Sequence, residues 1–205
     1  MNSSVLVTRW WWVRHAPLLL SPGTIAGQLD AQVDLSDTGM IGAARRRLPD
    51  GAVWLTTPLS RSRLCAAALS PDNAPLLVPD LTEQDFGDWQ GCTHQEIWQA
   101  DPDAAARFWE DAAGNTPPGG ESFAALCHRV QAAIRRETAA QAGRDIVMVG
   151  HAGPIRAALA LALGLPPAGV LSVAVDHWHL FRLDHLAIAG QPAQWRLVGA
   201  NIPPC

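Results

Sequence analysis

Five side chains of this 205-residue sequence stand where chemistry could be done: Arg14, His15, Arg61, Glu83 and His151. The first two end the run WWWVRHAP, in which an apolar, β-rich segment gives way to a charged pair and then to Pro17. In a sheet covered by helices on both faces, ligands bind in the crevice at the carboxyl ends of the strands, where such a pair would sit. The alternative is that Arg14 only terminates the strand and His15 is a satisfied polar residue in a turn. DIVMVGHAGPIRAAL repeats the arrangement, since the strand IVMV delivers His151 at its end and Gly150, Ala152 and Gly153 let a ligand come close to the backbone. Two strand-end histidines with a strand-end arginine point to one shared site.

VWLTTPLSRSRLCAAAL runs from a strand into a helix that begins near Ser60, with Arg61 and Arg63 in its first turn. Cations there oppose the helix dipole, and a phosphate held by free N–H groups and an arginine fork would remove the conflict. The other reading projects both arginines into solvent. In LTEQDFGDWQG, Glu83 and Asp85 stand beside Phe86 and Trp89. Aromatic walls disfavour an ionised carboxylate and so suit a general acid, whereas a solvated acidic turn is the commoner fate of such residues.

Strand signals at 5–13, 52–56, 145–149, 170–176, 179–184 and 194–199 alternate with helical patterns, which predicts βαβ units. Helices are expected from a cap at Ser36 or Asp37 through Arg47, from Ser60 through Leu69, within 93–112 with a break at Pro102, and over 121–142 before Gly143. HLFRLDHLAIAGQPAQWRLVGAN reads as two strands around a turn that closes one sheet edge. The fold class is α/β: a three-layer αβα sandwich with a mostly parallel central sheet and helices on both faces. One domain over 1–205 is expected, with 83–120 as a cap-like insertion above the sheet.

With 48% hydrophobic and 17% charged residues, the chain can bury a large core. Its net charge of −4 contains no lysine and no basic stripe, which argues against nucleic acid as a partner. Cys65, Cys92, Cys127 and Cys205 are scattered without a CxxC pair, so neither a zinc ribbon nor a disulfide framework is expected, and a reducing cytoplasm is the default. The start MNSSVLVTRWWW lacks the pattern of a secretory signal. The apolar stretch 155–175 is broken by Arg156, Gly164, Pro166, Pro167 and Gly169, and so reads as a helix and a strand and not as a membrane span.

Taken in order, VRHAP, TTPLSRSRLCA, LTEQDFGDWQG, PPGGES and VGHAGPIR resemble the histidine phosphatase superfamily, with its phosphoglycerate-mutase-like fold, over residues 8–184. The likeness is greatest to small bacterial α-ribazole phosphatases, in which RHA is followed by a Gly-x-x-Asp segment, here Gly27, Gln28, Leu29 and Asp30. The resemblance implies that His15 is a nucleophile that accepts a phosphoryl group. It further implies that Arg14, Arg61 and His151 complete the phosphate pocket, that Gly27 and Gln28 bind substrate, and that Glu83 protonates the leaving oxygen. Nearby cations would hold His15 neutral. The substrate would be a small phosphomonoester, no metal or other cofactor would be needed, and Arg156, though part of the matching stretch, receives no catalytic role. Two departures, Ala16 in place of the usual glycine and Leu64-Cys65 where Gln-Thr is frequent, bear on the subfamily and not on the chemistry.

Phosphoglycerate-mutase-type transfer and a non-catalytic phospho-ligand binding module are the alternatives. The short ending NIPPC favours hydrolysis over transfer, and the presence of both nucleophile and acid speaks against the binding module. Trp89, Trp98, Phe108 and Trp109 could stack on a flat leaving group or pack the insertion. His177 and His179 flank Trp178 near a strand end, on a face the sequence leaves open. Nine tryptophans leave room for an apolar homodimer surface.

Overall fold

The computed structural model describes residues 5–204. Strands β1 (Val5–Arg14), β2 (Val53–Thr56), β3 (Leu76–Leu77), β4 (Asp145–Gly150), β5 (Leu180–Ile188) and β6 (Gln194–Ile202) form one sheet in the order β3-β2-β4-β1-β5-β6. The first four in that order run parallel, and β5 and β6 add an antiparallel edge.

The central strands are apolar throughout because both of their faces are covered, and successive side chains go to opposite sides. Trp10, Trp12, Leu55, Ile146 and Met148 pack on one side with α5 (Phe123–Ala140) and α6 (Ala152–Leu163). Val13, Trp54, Val147 and Val149 pack on the other with α1 (Thr38–Arg46) and α2 (Ser60–Leu69). The result is the expected αβα sandwich. Trp10 and Trp12 are stacked with ring centroids 5.3 Å apart and are fully buried. Truncating a tryptophan so placed costs about 3–5 kcal/mol, so the strand that carries Arg14 and His15 is rigidly seated.

Helix boundaries follow local chemistry. Asp37 caps α1, Ser122 caps α5, and Gly143 supplies the positive φ after α5. Pro102 splits 93–112 into α3 (His94–Ala100) and α4 (Pro102–Glu110), with Asp101 ending one and capping the other. The strand expected at 170–176 is absent. Pro167 opens a short helix, α7 (Pro167–Val170), and Val170, Leu171, Val173 and Val175 pack against the core without joining the ladder. The two-residue β3, with both leucines exposed, gave no strand signal.

Residues 83–120 carry a small apolar cluster of their own, in which Trp89, Ile97, Ala105 and Phe108 pack with Ile25. At Gly87 φ is +53° and a Cβ would lie 2.1 Å from the Pro118 carbonyl oxygen, so only glycine fits. Among the described residues no helix is long and apolar enough to cross a membrane. Cys65, Cys92 and Cys127 are free thiols, and Cys205 lies outside the described residues.

Candidate active site

Parallel pairing of β1 with β4 sets Val13 opposite Val149 and Arg14 opposite Gly150. The residues that follow, His15 and His151, therefore meet, with ring centroids 5.3 Å apart at 61°. The His15 amide donates to the Gly150 carbonyl at 3.0 Å, and the Ala16 amide donates to Cys65 Sγ at 3.3 Å. Cys65, one of the two departures from the family pattern, thus secures the loop that carries His15.

His15 is only 3% exposed. Its Nδ1–H donates to the Ala16 carbonyl at 2.7 Å, which leaves the Nε2 lone pair free. Burial, then Arg61 and Arg14, hold this imidazole well below its ordinary pKa. The shift has the direction expected from nearby cations, with desolvation a larger cause than they are.

His151 is fully buried. Its Nδ1 accepts from Arg61 Nε at 3.3 Å, so its Nε2–H donates to Thr57 Oγ1 at 2.9 Å. Both nitrogens are engaged by protein, and His151 stands behind Arg61 and His15, off the cavity wall. In this arrangement His151 orients Arg61, the arginine expected beside it in the phosphate pocket. Burial is also the main reason that His151 is held well below its ordinary pKa, with His15 and Arg61 adding to it.

A stability prediction follows from these two rings. The unfolded chain takes up protons on both histidines near pH 6.5, and the folded chain does not. Stability is then full above about pH 7 and falls below about pH 6.5, by up to about 2.7 kcal/mol per pH unit for the pair, until the depressed folded-state values are reached. Denaturant unfolding across that range is the check. A flat profile would show that the rings ionise inside the fold.

Arg61 is buried, and its terminal nitrogens donate to the carbonyls of Gly27 and Leu29. Arg14 Nη1 donates to the Val175 carbonyl, while its Nε is buried without a partner. Arg156 Nε donates to the Val173 carbonyl at 3.0 Å. None of the three forms an ion pair among the described residues. Desolvation lowers the pKa of each, and Glu83 opposes the shift. Arg63, by contrast, is exposed, as the solvent reading had it.

Glu83 Oε1 accepts from the backbone amides of Gly153 at 2.9 Å and Gln84 at 3.0 Å. A Cβ on Gly153 would lie 2.3 Å from that oxygen, so any larger residue there would displace the Glu83 carboxylate. Arg129, paired with Glu121, and Gln28 Nε2 both donate to the Glu83 carbonyl, at 3.0 and 2.9 Å. Gln28, expected to bind substrate, here positions Glu83. Gly27 does line the cavity, but its carbonyl serves Arg61.

Arg14, His15, Arg61, Glu83, Arg156 and His177 face one cavity of about 520 Å³. A second of about 290 Å³ shares Glu83 and Arg156 and is walled by Phe86, Phe108, Trp109 and Phe123. Of the four aromatics that could either stack on a leaving group or pack the insertion, Phe108 and Trp109 line this second cavity. Trp89 packs edge-on to Phe108 at 5.1 Å, and Trp98 is exposed and lines neither cavity. Thr57, Arg156 and His177 carried too little sequence signal to be assigned. Only their offsets, one residue past β2, five past His151 and beside Trp178, could have flagged them.

The histidine phosphatase superfamily (branch 1) model matches residues 10–201. The glucosyl-3-phosphoglycerate phosphatase of Mycolicibacterium vanbaalenii is 35% identical over 84% of this chain and 78% of its own length. The adenosylcobalamin/α-ribazole phosphatase of Salmonella typhimurium is 29% identical over 86% of each. A mycobacterial glucosyl-3-phosphoglycerate phosphatase solved with inorganic phosphate superposes with a TM-score of 0.79 at 25% identity, covering 96% of this chain and 98% of that one. With the match spanning nearly all of the fold and every strand-end residue just described, the chain belongs to the histidine phosphatase superfamily, as one of its phosphatases.

Proposed function

We propose that this phosphatase hydrolyses a small phosphomonoester through a phosphohistidine on His15. The observation that carries the reading is a tautomer-fixed His15, its pKa held low, set among arginines without an ion-pair partner among the described residues and facing the same cavity as Glu83. Phosphate monoesters are among the slowest compounds to hydrolyse unaided, so charge neutralisation matters most. Arg14 and Arg61, with Arg156 beside them, bring donors to the phosphoryl oxygens in a partly dry site. His15 Nε2 forms the N–P bond as the P–O bond to the leaving group breaks, and Glu83 gives that oxygen a proton. Water then attacks phosphorus, Glu83 takes the water's proton, and the P–N bond breaks to release phosphate. The charge is handled by side chains throughout, and free thiols fit a reducing cytoplasm.

For the substrate, the apolar, aromatic-walled recess beside Glu83 favours a flat leaving group such as that of α-ribazole 5′-phosphate. Arg156, which faces both recesses, favours the second reading, a carboxylate-bearing ester of the glucosyl-3-phosphoglycerate type. Phosphate release with EDTA present, across both compounds, 3-phosphoglycerate and p-nitrophenyl phosphate, decides between them. The expected outcome is metal-independent hydrolysis with the highest kcat/KM for α-ribazole 5′-phosphate. Transfer to a second sugar-acid hydroxyl without phosphate release would overturn the hydrolytic reading.

A further inference from the structure

We propose that His177 is a further phosphoryl-binding residue, which takes up a proton as the phosphate dianion binds and so adds a donor to those of the arginines. The inference rests on the phosphohistidine reading above and names a residue that reading does not use.

The placement of His177 is built into the fold. The chain enters β5 through Trp178, whose φ of +65° is rare for a residue with a side chain. That conformation is held by burial of the indole beside Val13 and Ala16, and by the Trp178 amide donating to the Arg14 carbonyl at 2.9 Å. Such backbone persists where the surroundings over-determine it, commonly at functional sites. It breaks the strand alternation and turns His177 under the nucleophile, with ring centroids 5.3 Å apart.

The tautomer is fixed as well. The carbonyl of His15 can only accept, so His177 Nδ1–H donates to it at 2.7 Å, and in the neutral ring Nε2 is a bare acceptor. Nε2 has no hydrogen-bond partner among the described residues, and His177 lines the cavity. The site around it is cationic. Arg14 and His15 stand beside it on β1 and its loop, and Arg61, Arg156, His94 and Glu83 face the same cavity. Asp176, its neighbour in sequence, is exposed and turned to Asn201. Burial first and then Arg14 keep the ring neutral in the free protein.

A phosphate dianion reverses that balance. Its oxygens repel a bare lone pair and attract an imidazolium, so binding favours the protonated ring. Protonation places an N–H donor next to the phosphoryl oxygens while Nδ1–H still holds the His15 carbonyl. Because the dianion raises the ring's pKa from a lowered value, affinity strengthens as pH falls toward the histidine range.

Calorimetric titration of inorganic phosphate at about pH 7, in two buffers of different ionisation enthalpy, counts the protons taken up. His177→Asn is the variant of choice: its amide N–H still reaches the His15 carbonyl, but it places no atom at Nε2. The wild type is expected to take up about one more proton per bound phosphate than the variant, and its affinity to fall more steeply with rising pH. Equal uptake in the two would overturn the proposal. If His177→Asn does not fold, His177→Gln puts a non-titrating amide near the Nε2 position and meets the same test. A wild type that binds no phosphate at all would instead overturn the active-site reading itself.

Discussion

His15→Ala is expected to yield a folded protein whose turnover is lower by about 10⁴-fold or more, on the scale seen when a catalytic nucleophile is removed. Folding survives because the ring contributes little apolar packing and because a cationic pocket loses nothing by losing a neutral imidazole. Chemistry does not survive, since no other unprotonated nitrogen has comparable support. His151 has both of its nitrogens engaged, and His177 Nε2 lacks the flanking Arg61 that draws a phosphoryl group toward His15. Rapid acid-sensitive trapping of labelled phosphate on the wild type, and its absence on the variant, is the direct check. A variant that kept most of its phosphate release would place the nucleophile elsewhere.

The second large effect is expected at Glu83. Glutamine preserves an oxygen to accept from the Gly153 and Gln84 amides but carries no proton to deliver. Loss of general acid catalysis costs about 10²–10⁴-fold on a substrate with a poor alkoxide leaving group. p-Nitrophenyl phosphate, whose phenolate leaves without help, should lose far less in phosphohistidine formation. That contrast separates a missing acid from a distorted pocket, which would slow both substrates alike. Equal losses on the two would remove Glu83 from the proton-transfer role.

These two residues show what the sequence made legible and what it could not. His15 and His151 were readable as strand-end partners because β1 and β4 are apolar on both faces, and such runs mark central strands whose ends line up. Arg61 was readable because a cation in the first turn of α2 is electrostatically out of place without an anion. The hairpin of β5 and β6 was readable from its glycine turn. The false strand at 170–176 came from β-branched residues whose burial, not pairing, was their purpose. Roles set by long-range contacts were beyond reach. No local pattern says that Gln28 will meet the Glu83 carbonyl 55 positions away, or that His151 will give its lone pair to Arg61. His177 was noticed but could not be placed for a related reason, since alternation assumes a regular strand and Trp178 breaks it.

The three unpaired guanidiniums have a consequence for what happens after bond cleavage. On the proposed route, orthophosphate freed from His15 would still be surrounded by Arg14, Arg61 and Arg156, none of which is ion-paired among the described residues, with Glu83 the carboxylate that shares their cavity. Egress of the product would then be opposed by the same field that favours binding, which makes product departure the expected slow step of that route. The working rate of such an enzyme then tracks the orthophosphate level around it, which makes the reaction's own by-product its brake.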